Sequence, residues 1–118
     1  MRAIRGAVCL TKDDSAEMLE AVGEMLTAIL ERNQITTENV VSVLFTCTPD
    51  IHSGFPAKAA REFGFGDVPL MCAQEIDVDG ALALTVRVML HVDADIARSD
   101  IRHVYLRGAE VLRPDVKS

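Results

Sequence analysis

The sequence predicts an α/β fold in a single domain over residues 1–118: a mixed β-sheet packed with one long helix and one or more short ones. Three observations predict it. Residues 2–10, 40–45 and 84–92 carry the alternating or β-branched apolar pattern of strands. Between the first two of these, Met18, Val22, Met25, Leu26 and Ile29 recur at helical spacing. The resulting order of strand, long helix and strand within the first 45 residues is the βαβ pattern of a mixed fold.

Each element has a local cause. Ile4, Val8 and Leu10 alternate through the first strand, with no acid or proline among them. The polar run 11–15 breaks it, and Asp13, Asp14 or Ser15 can cap the helix that follows. That helix is acidic on its outer side, through Glu17, Glu20, Glu24 and Glu31, and ends at Asn33 and Gln34. A single turn near Thr37 precedes the second strand, 40–45. The segment 46–50, with Pro49 and Asp50, reads as a loop. Pro56 suits the first turn of a short helix over 57–63, closed by Gly64 and Gly66, with Lys58 and Arg61 on one face. A short strand is expected over 68–72, a turn over 78–82, and then the long strand 84–92. In that strand Thr85, Arg87, Met89 and His91 face away from Val86, Val88, Leu90 and Val92. Residues 102–107 read as a further strand and 110–112 as a last short one.

Composition narrows the functional classes. With 49% hydrophobic residues and no low-complexity tract, the chain can bury a full core. The formal charge of −6 argues against broad contact with a phosphate backbone, so nucleic acid is not an expected partner. No segment approaches the roughly 20 apolar residues of a membrane span, and the start lacks the charged-then-apolar pattern of a signal peptide, so a cytoplasmic protein is expected. The three cysteines, Cys9, Cys47 and Cys72, are widely spaced among apolar neighbours, as suits reduced thiols.

Within this acidic chain Arg5, Arg61, Arg87, Arg102 and Arg113 fall where buried or half-buried structure is expected. Each guanidinium then needs a carboxylate, a ligand or water. Acids of the same fold can satisfy any one of them, or its long stem can pack on the core while the head reaches solvent; several converging ones make a pocket for an anion the leading idea. No Cys or His spacing forms a metal motif, and no glycine pattern cradles a phosphate, so neither a metal nor another cofactor is expected. No histidine stands near Cys72 in sequence to activate it as a nucleophile. What remains is a set of cations with one carboxylate, Glu75, and one phenol, Tyr105. This set suits a polyanionic, hydroxylated small molecule.

The ordered set of segments Ile4-Arg5-Gly6-Ala7, Thr48-Pro49-Asp50-Ile51-His52, Phe55-Pro56-Ala57-Lys58-Ala59 with Arg61-Glu62, Cys72 with Gln74-Glu75, Arg87-Val88-Met89, Arg102-His103-Val104-Tyr105-Leu106 and Leu112-Arg113-Pro114-Asp115 resembles the monofunctional AroH-class chorismate mutases. The resemblance implies a homotrimer forming a pseudo-α/β-barrel, with active sites at the subunit interfaces. It implies the rearrangement of chorismate to prephenate, in the biosynthesis of phenylalanine and tyrosine. On this resemblance Arg87 stabilises the charge developing on the ether oxygen, Arg5 and Tyr105 contact a substrate carboxylate, and Glu75 with the Cys72 thiol addresses the ring hydroxyl. Phe55, Ala57, Lys58 and Arg61 resemble the part supplied by a neighbouring subunit, and Leu112 and Arg113 the start of a tail that covers the ligand. The residues are also compatible with a trimeric module that binds a carboxylate metabolite without turning it over. The two readings separate on whether Arg87 and Glu75 flank one cleft.

Overall fold

The computed structural model describes residues 1–113. Its strands are β1 (Arg2–Cys9), β2 (Val40–Cys47), β3 (Leu70–Gln74), β4 (Thr85–Val92) and β5 (Val104–Leu106), and its helices are α1 (Ser15–Arg32) and α2 (Pro56–Ala60). The strands form a single mixed sheet in the order β3-β2-β4-β1-β5. Only β4 is antiparallel to its neighbours, pairing with both β1 and β2, whereas β5 lies parallel to β1 and β3 parallel to β2. The βαβ unit is therefore split, because the crossover through α1 leaves room for β4 between β1 and β2.

Pairing fixes which side chains share a face. Ile4 and Val8, Val43 and Phe45, Val86 to Val92 at even positions, and Val104 meet Met18, Val22, Met25, Leu26 and Ile29 of α1 in the main core. Asp14 caps α1, its carboxylate accepting from the Glu17 N–H at 2.9 Å. Asn33 closes the helix from inside: its Nδ2 donates to the carbonyls of Ile29 and Arg102, both at 2.9 Å, and its Oδ1 accepts from the Arg102 N–H at 2.8 Å. The helix end is thereby stitched to the segment entering β5. Gly6 permits the close approach of α1, since a Cβ there would stand 2.9 Å from Ile29 Cδ1 and 3.2 Å from the Val104 carbonyl oxygen.

Several expectations are corrected. The short strand begins at Leu70 instead of 68 and runs to Gln74, with the pairing continued by the Glu75 N–H to the Cys47 carbonyl at 2.9 Å. Leu84 is not in β4: its backbone is left-handed (φ 49°), and its N–H donates to the Asp50 carboxylate at 3.0 Å. Residues 102 and 103 precede β5. The segment expected as a last strand is a 3-10 turn, Ala109–Leu112. Left-handed backbone at Arg107 (φ 52°) and Gly108 (φ 95°) turns the chain back, so Ala109 packs on Ala7 and Tyr105 and no further strand is added beside β5. Of the arginines expected to be buried or half-buried, Arg61 and Arg102 are exposed. The tail beyond Arg113, with Pro114 and Asp115, lies outside the described residues. No helix among the described residues is long and apolar enough to cross a membrane.

Candidate active site

The face of the sheet turned away from α1 carries the candidate chemistry. Arg87 lies at the centre of β4, opposite Ala7 of β1 on one side and Thr46 of β2 on the other. Arg5 stands two residues along β1 from Ala7, and Tyr105 of β5 is in register with Ala7. Since paired residues point to the same side, the register alone gathers Arg5, Arg87, Thr46 and Tyr105 on one face. They line a cavity of about 190 Å³, completed by Gly6, Leu44, Val88 and Met89.

Glu75, just beyond β3, is bound to two of these residues. Its Oε2 accepts from Thr46 Oγ1 at 2.7 Å and lies 3.1 Å from Arg87 Nε. The latter contact meets the distance of an ion pair, yet the Nε–H does not point at the oxygen, and the buried Nε has no hydrogen-bond acceptor. We therefore read it as a charge contact without a hydrogen bond. Leaving a buried donor unmet costs about 1–3 kcal/mol. With Nε buried and the side chain as a whole 43% exposed, the far end of the guanidinium is what the cavity sees.

Arg5 is held by its backbone. Its N–H donates to His103 Nδ1 at 2.9 Å, a side-chain continuation of the β1–β5 pairing. The bond needs an unprotonated Nδ1, and burial keeps the His103 imidazole below its ordinary pKa of 6.5. At the end of the same face Leu112, half-buried, packs with Ala7, Tyr105 and Ala109, and Arg113 follows it, also half-buried.

The remaining candidates form a second cluster elsewhere. Phe55 stands 71% exposed before α2, and Lys58 and Arg61 are exposed on the same segment. Ala57 is instead buried against the core. The loop entering this segment is held by Asp13, whose carboxylate accepts from the backbone N–H groups of His52 and Ser53 at 2.9 and 3.0 Å. Hydrogen bonds from Ser53 and His52 hold that carboxyl below its ordinary range. Cys72 belongs with this cluster: it is paired with the buried Phe45, packs on the main core, and shares a cavity of about 200 Å³ with Phe55 and Cys47. One chain therefore does not bring Cys72 to the cavity of Arg87. Burial pushes the neighbouring Cys47 thiol up to about 12, which keeps it protonated and unreactive.

Sequence reasoning missed Thr46, which reads as a loop residue but ends up opposite Arg87, and it assigned His103 no role. Neither had a local signal, because both act through pairing with distant strands. Among the described residues no three His, Cys, Asp or Glu side chains converge as metal ligands.

Residues 1–116 match the family model described as chorismate mutase type I. The chorismate mutase AroH of Bacillus subtilis (strain 168) is 45% identical over 117 residues, spanning 98% of this chain and 92% of that protein. The chorismate mutase AroH of Thermus thermophilus is 42% identical over 119 residues, covering 100% of this chain and 98% of its own. The structure of a chorismate mutase from Clostridium thermocellum aligns with a TM-score of 0.92 at 40% identity, over 94% of this chain and 99% of that one. With matches of this extent in sequence and in fold, the chain belongs to the chorismate mutase type I family.

Proposed function

We infer that this protein is an isomerase that converts chorismate to prephenate. The reaction is an intramolecular pericyclic rearrangement: the bond from the ether oxygen to the ring breaks as a carbon–carbon bond forms between the enolpyruvyl methylene and the ring. No proton, nucleophile or redox equivalent has to enter or leave. An enzyme can accelerate such a step by holding the substrate folded and by stabilising the partial negative charge that grows on the ether oxygen.

The observation that carries this reading is the juxtaposition of Arg87 and Glu75, 3.1 Å apart, with an unmet Nε–H on the Arg87 guanidinium. The guanidinium is assigned to the ether oxygen, where a fixed cation binds the transition state better than the ground state. Arg5 and Tyr105, on the same face, are assigned to a substrate carboxylate, and Glu75 to the ring hydroxyl. Thr46 holds the Glu75 carboxylate in place.

The second cluster then belongs to a neighbouring copy. Phe55, Lys58 and Arg61 are exposed and do not line the Arg87 cavity in their own chain, and Cys72 faces their side. The outer face also leaves Leu44 40% and Met71 68% exposed, which is apolar surface suited to burial between subunits. We assign the assembly as a homotrimer forming a pseudo-α/β-barrel, with each active site shared by two chains.

Loss of chorismate absorbance, with prephenate identified as the product, tests the reaction. Mixing tests the sharing. Arg87→Ala and Arg61→Ala are each expected to be impaired alone, and dissociating and reassembling them together should restore activity through hybrid sites that carry neither change. Activity no greater than the sum of the two parents would place both residues in one chain's site.

A further inference from the structure

The turn after β5 is unusual in sequence and in geometry. Arg107 carries a side chain at φ 52°, a left-handed backbone that residues other than glycine rarely adopt, and Gly108 follows at φ 95°. Its guanidinium reaches from the edge of the sheet to the acidic side of α1. There Nη2 donates to Glu20 Oε1 at 2.7 Å and to Glu24 Oε2 at 2.9 Å. The two glutamates are four residues apart, one helical turn, so they face the same way and grip one nitrogen from both sides. A single exposed ion pair is worth little, but here one guanidinium, 27% exposed, is fixed by two carboxylates. Gly108 adds a bond from its N–H to Glu110 Oε1 at 2.7 Å. Beyond it the chain folds back, burying Ala109 fully and laying Leu112 beside Ala7 and Tyr105, the side of the sheet that holds Arg87.

We propose that Arg107, clamped between Glu20 and Glu24, is a positioning residue: it sets the course of residues 109–113 and so places Leu112 and Arg113 over the substrate cavity. This rests on the assignment of Leu112 and Arg113 to the substrate site. The clamp touches no reacting atom, so its loss acts on substrate retention and not on the chemical step at Arg87.

Steady-state kinetics on the assembled enzyme tests the proposal. Arg107→Asn keeps a residue that tolerates left-handed backbone while removing the clamp, and Glu20→Gln with Glu24→Gln removes it from the other side. Both should raise KM by about three- to tenfold while leaving kcat within about twofold of the parent. The reversed arrangement, Arg107→Glu with Glu20→Lys and Glu24→Lys, should recover much of the lost KM, which a defect unrelated to the charge contact would not do. Arg113→Ala separates the two ideas. If Arg113→Ala raises KM and Arg107→Asn does not, the clamp is overturned while the site assignment stands. If Arg113→Ala and Leu112→Ala both leave KM unchanged, the assignment beneath the proposal has failed. A fall in kcat and melting temperature together would make Arg107 a structural residue and overturn the proposal.

Discussion

The two faces of β4 are made by one strand of eight residues, yet they obey different rules. Toward α1, Val86, Val88, Leu90 and Val92 are at most 3% exposed and pack in the apolar core. Away from it, Arg87, Met89 and His91 are half-buried, and the cation at the centre is bound by a charge contact whose hydrogen bond is unmade. The first face is satisfied in the isolated chain. The second turns the exposed end of the Arg87 guanidinium to the cavity, where an anion can meet it. Residues of this family member that matter to stability and to turnover are therefore interleaved one by one along the same backbone.

The sharpest way to separate the faces is Arg87→Ala. It should lower kcat by roughly a thousandfold or more, about 4 kcal/mol of barrier, with little change in melting temperature. A loss of less than tenfold would move the ether oxygen to another cation. Leu90→Ala, on the opposite face, should do the reverse, costing about 2–5 kcal/mol of stability while leaving turnover intact at temperatures where the protein is folded. Denaturant unfolding and kinetics on the same preparation test the contrast. Gly6→Ala is intermediate, because the backbone of Gly6 lines the cavity while its absent side chain would point at Ile29. The clash with Ile29, Val88 and the Val104 carbonyl should cost roughly 1–3 kcal/mol.

The smallest effect concerns acid. His103 must stay neutral at Nδ1 to accept the Arg5 N–H, and its folded-state pKa lies below 6.5. The unfolded chain takes up that proton first, so this contribution is fully present above 6.5 and is lost as pH falls from there through the folded pKa. Melting temperatures taken from about pH 7.5 to about pH 5.5 should therefore fall more in the parent than in His103→Asn, whose amide does not titrate. Equal slopes would remove His103 from the acid response.

What can be read from the sequence follows from how local each cause is. The long helix is written in nearby residues: Asp14 caps it, its apolar stripe has helical spacing, and Asn33 ends it. The alternation of β4 likewise suffices to put Arg87 on the less apolar face. Strand order is not legible, since nothing near Thr85–Val92 says that it inserts between β1 and β2. For the same reason nothing local marks Thr46 as the neighbour of Glu75, and Cys72, expected with Glu75, has its side chain turned toward the core by the strands beside it. The final turn misleads through propensity. Val111 and Leu112 suit a strand, but left-handed backbone at Arg107 and Gly108 redirects them.

The insertion of β4 also constrains how the molecule comes into being. As the chain is synthesised, β1, α1 and β2 are complete about forty residues before the strand that must lie between them. Until Val92 has emerged, β1 and β2 have no partner on their inner edges, and each exposes backbone donors and acceptors that could recruit a strand from another nascent chain. The pairing of β4 with both strands joins distant parts of the sequence, and non-local pairing of this kind is slow to form relative to a helical bundle of this size. A fragment ending before Thr85 would be expected to aggregate instead of forming half a domain.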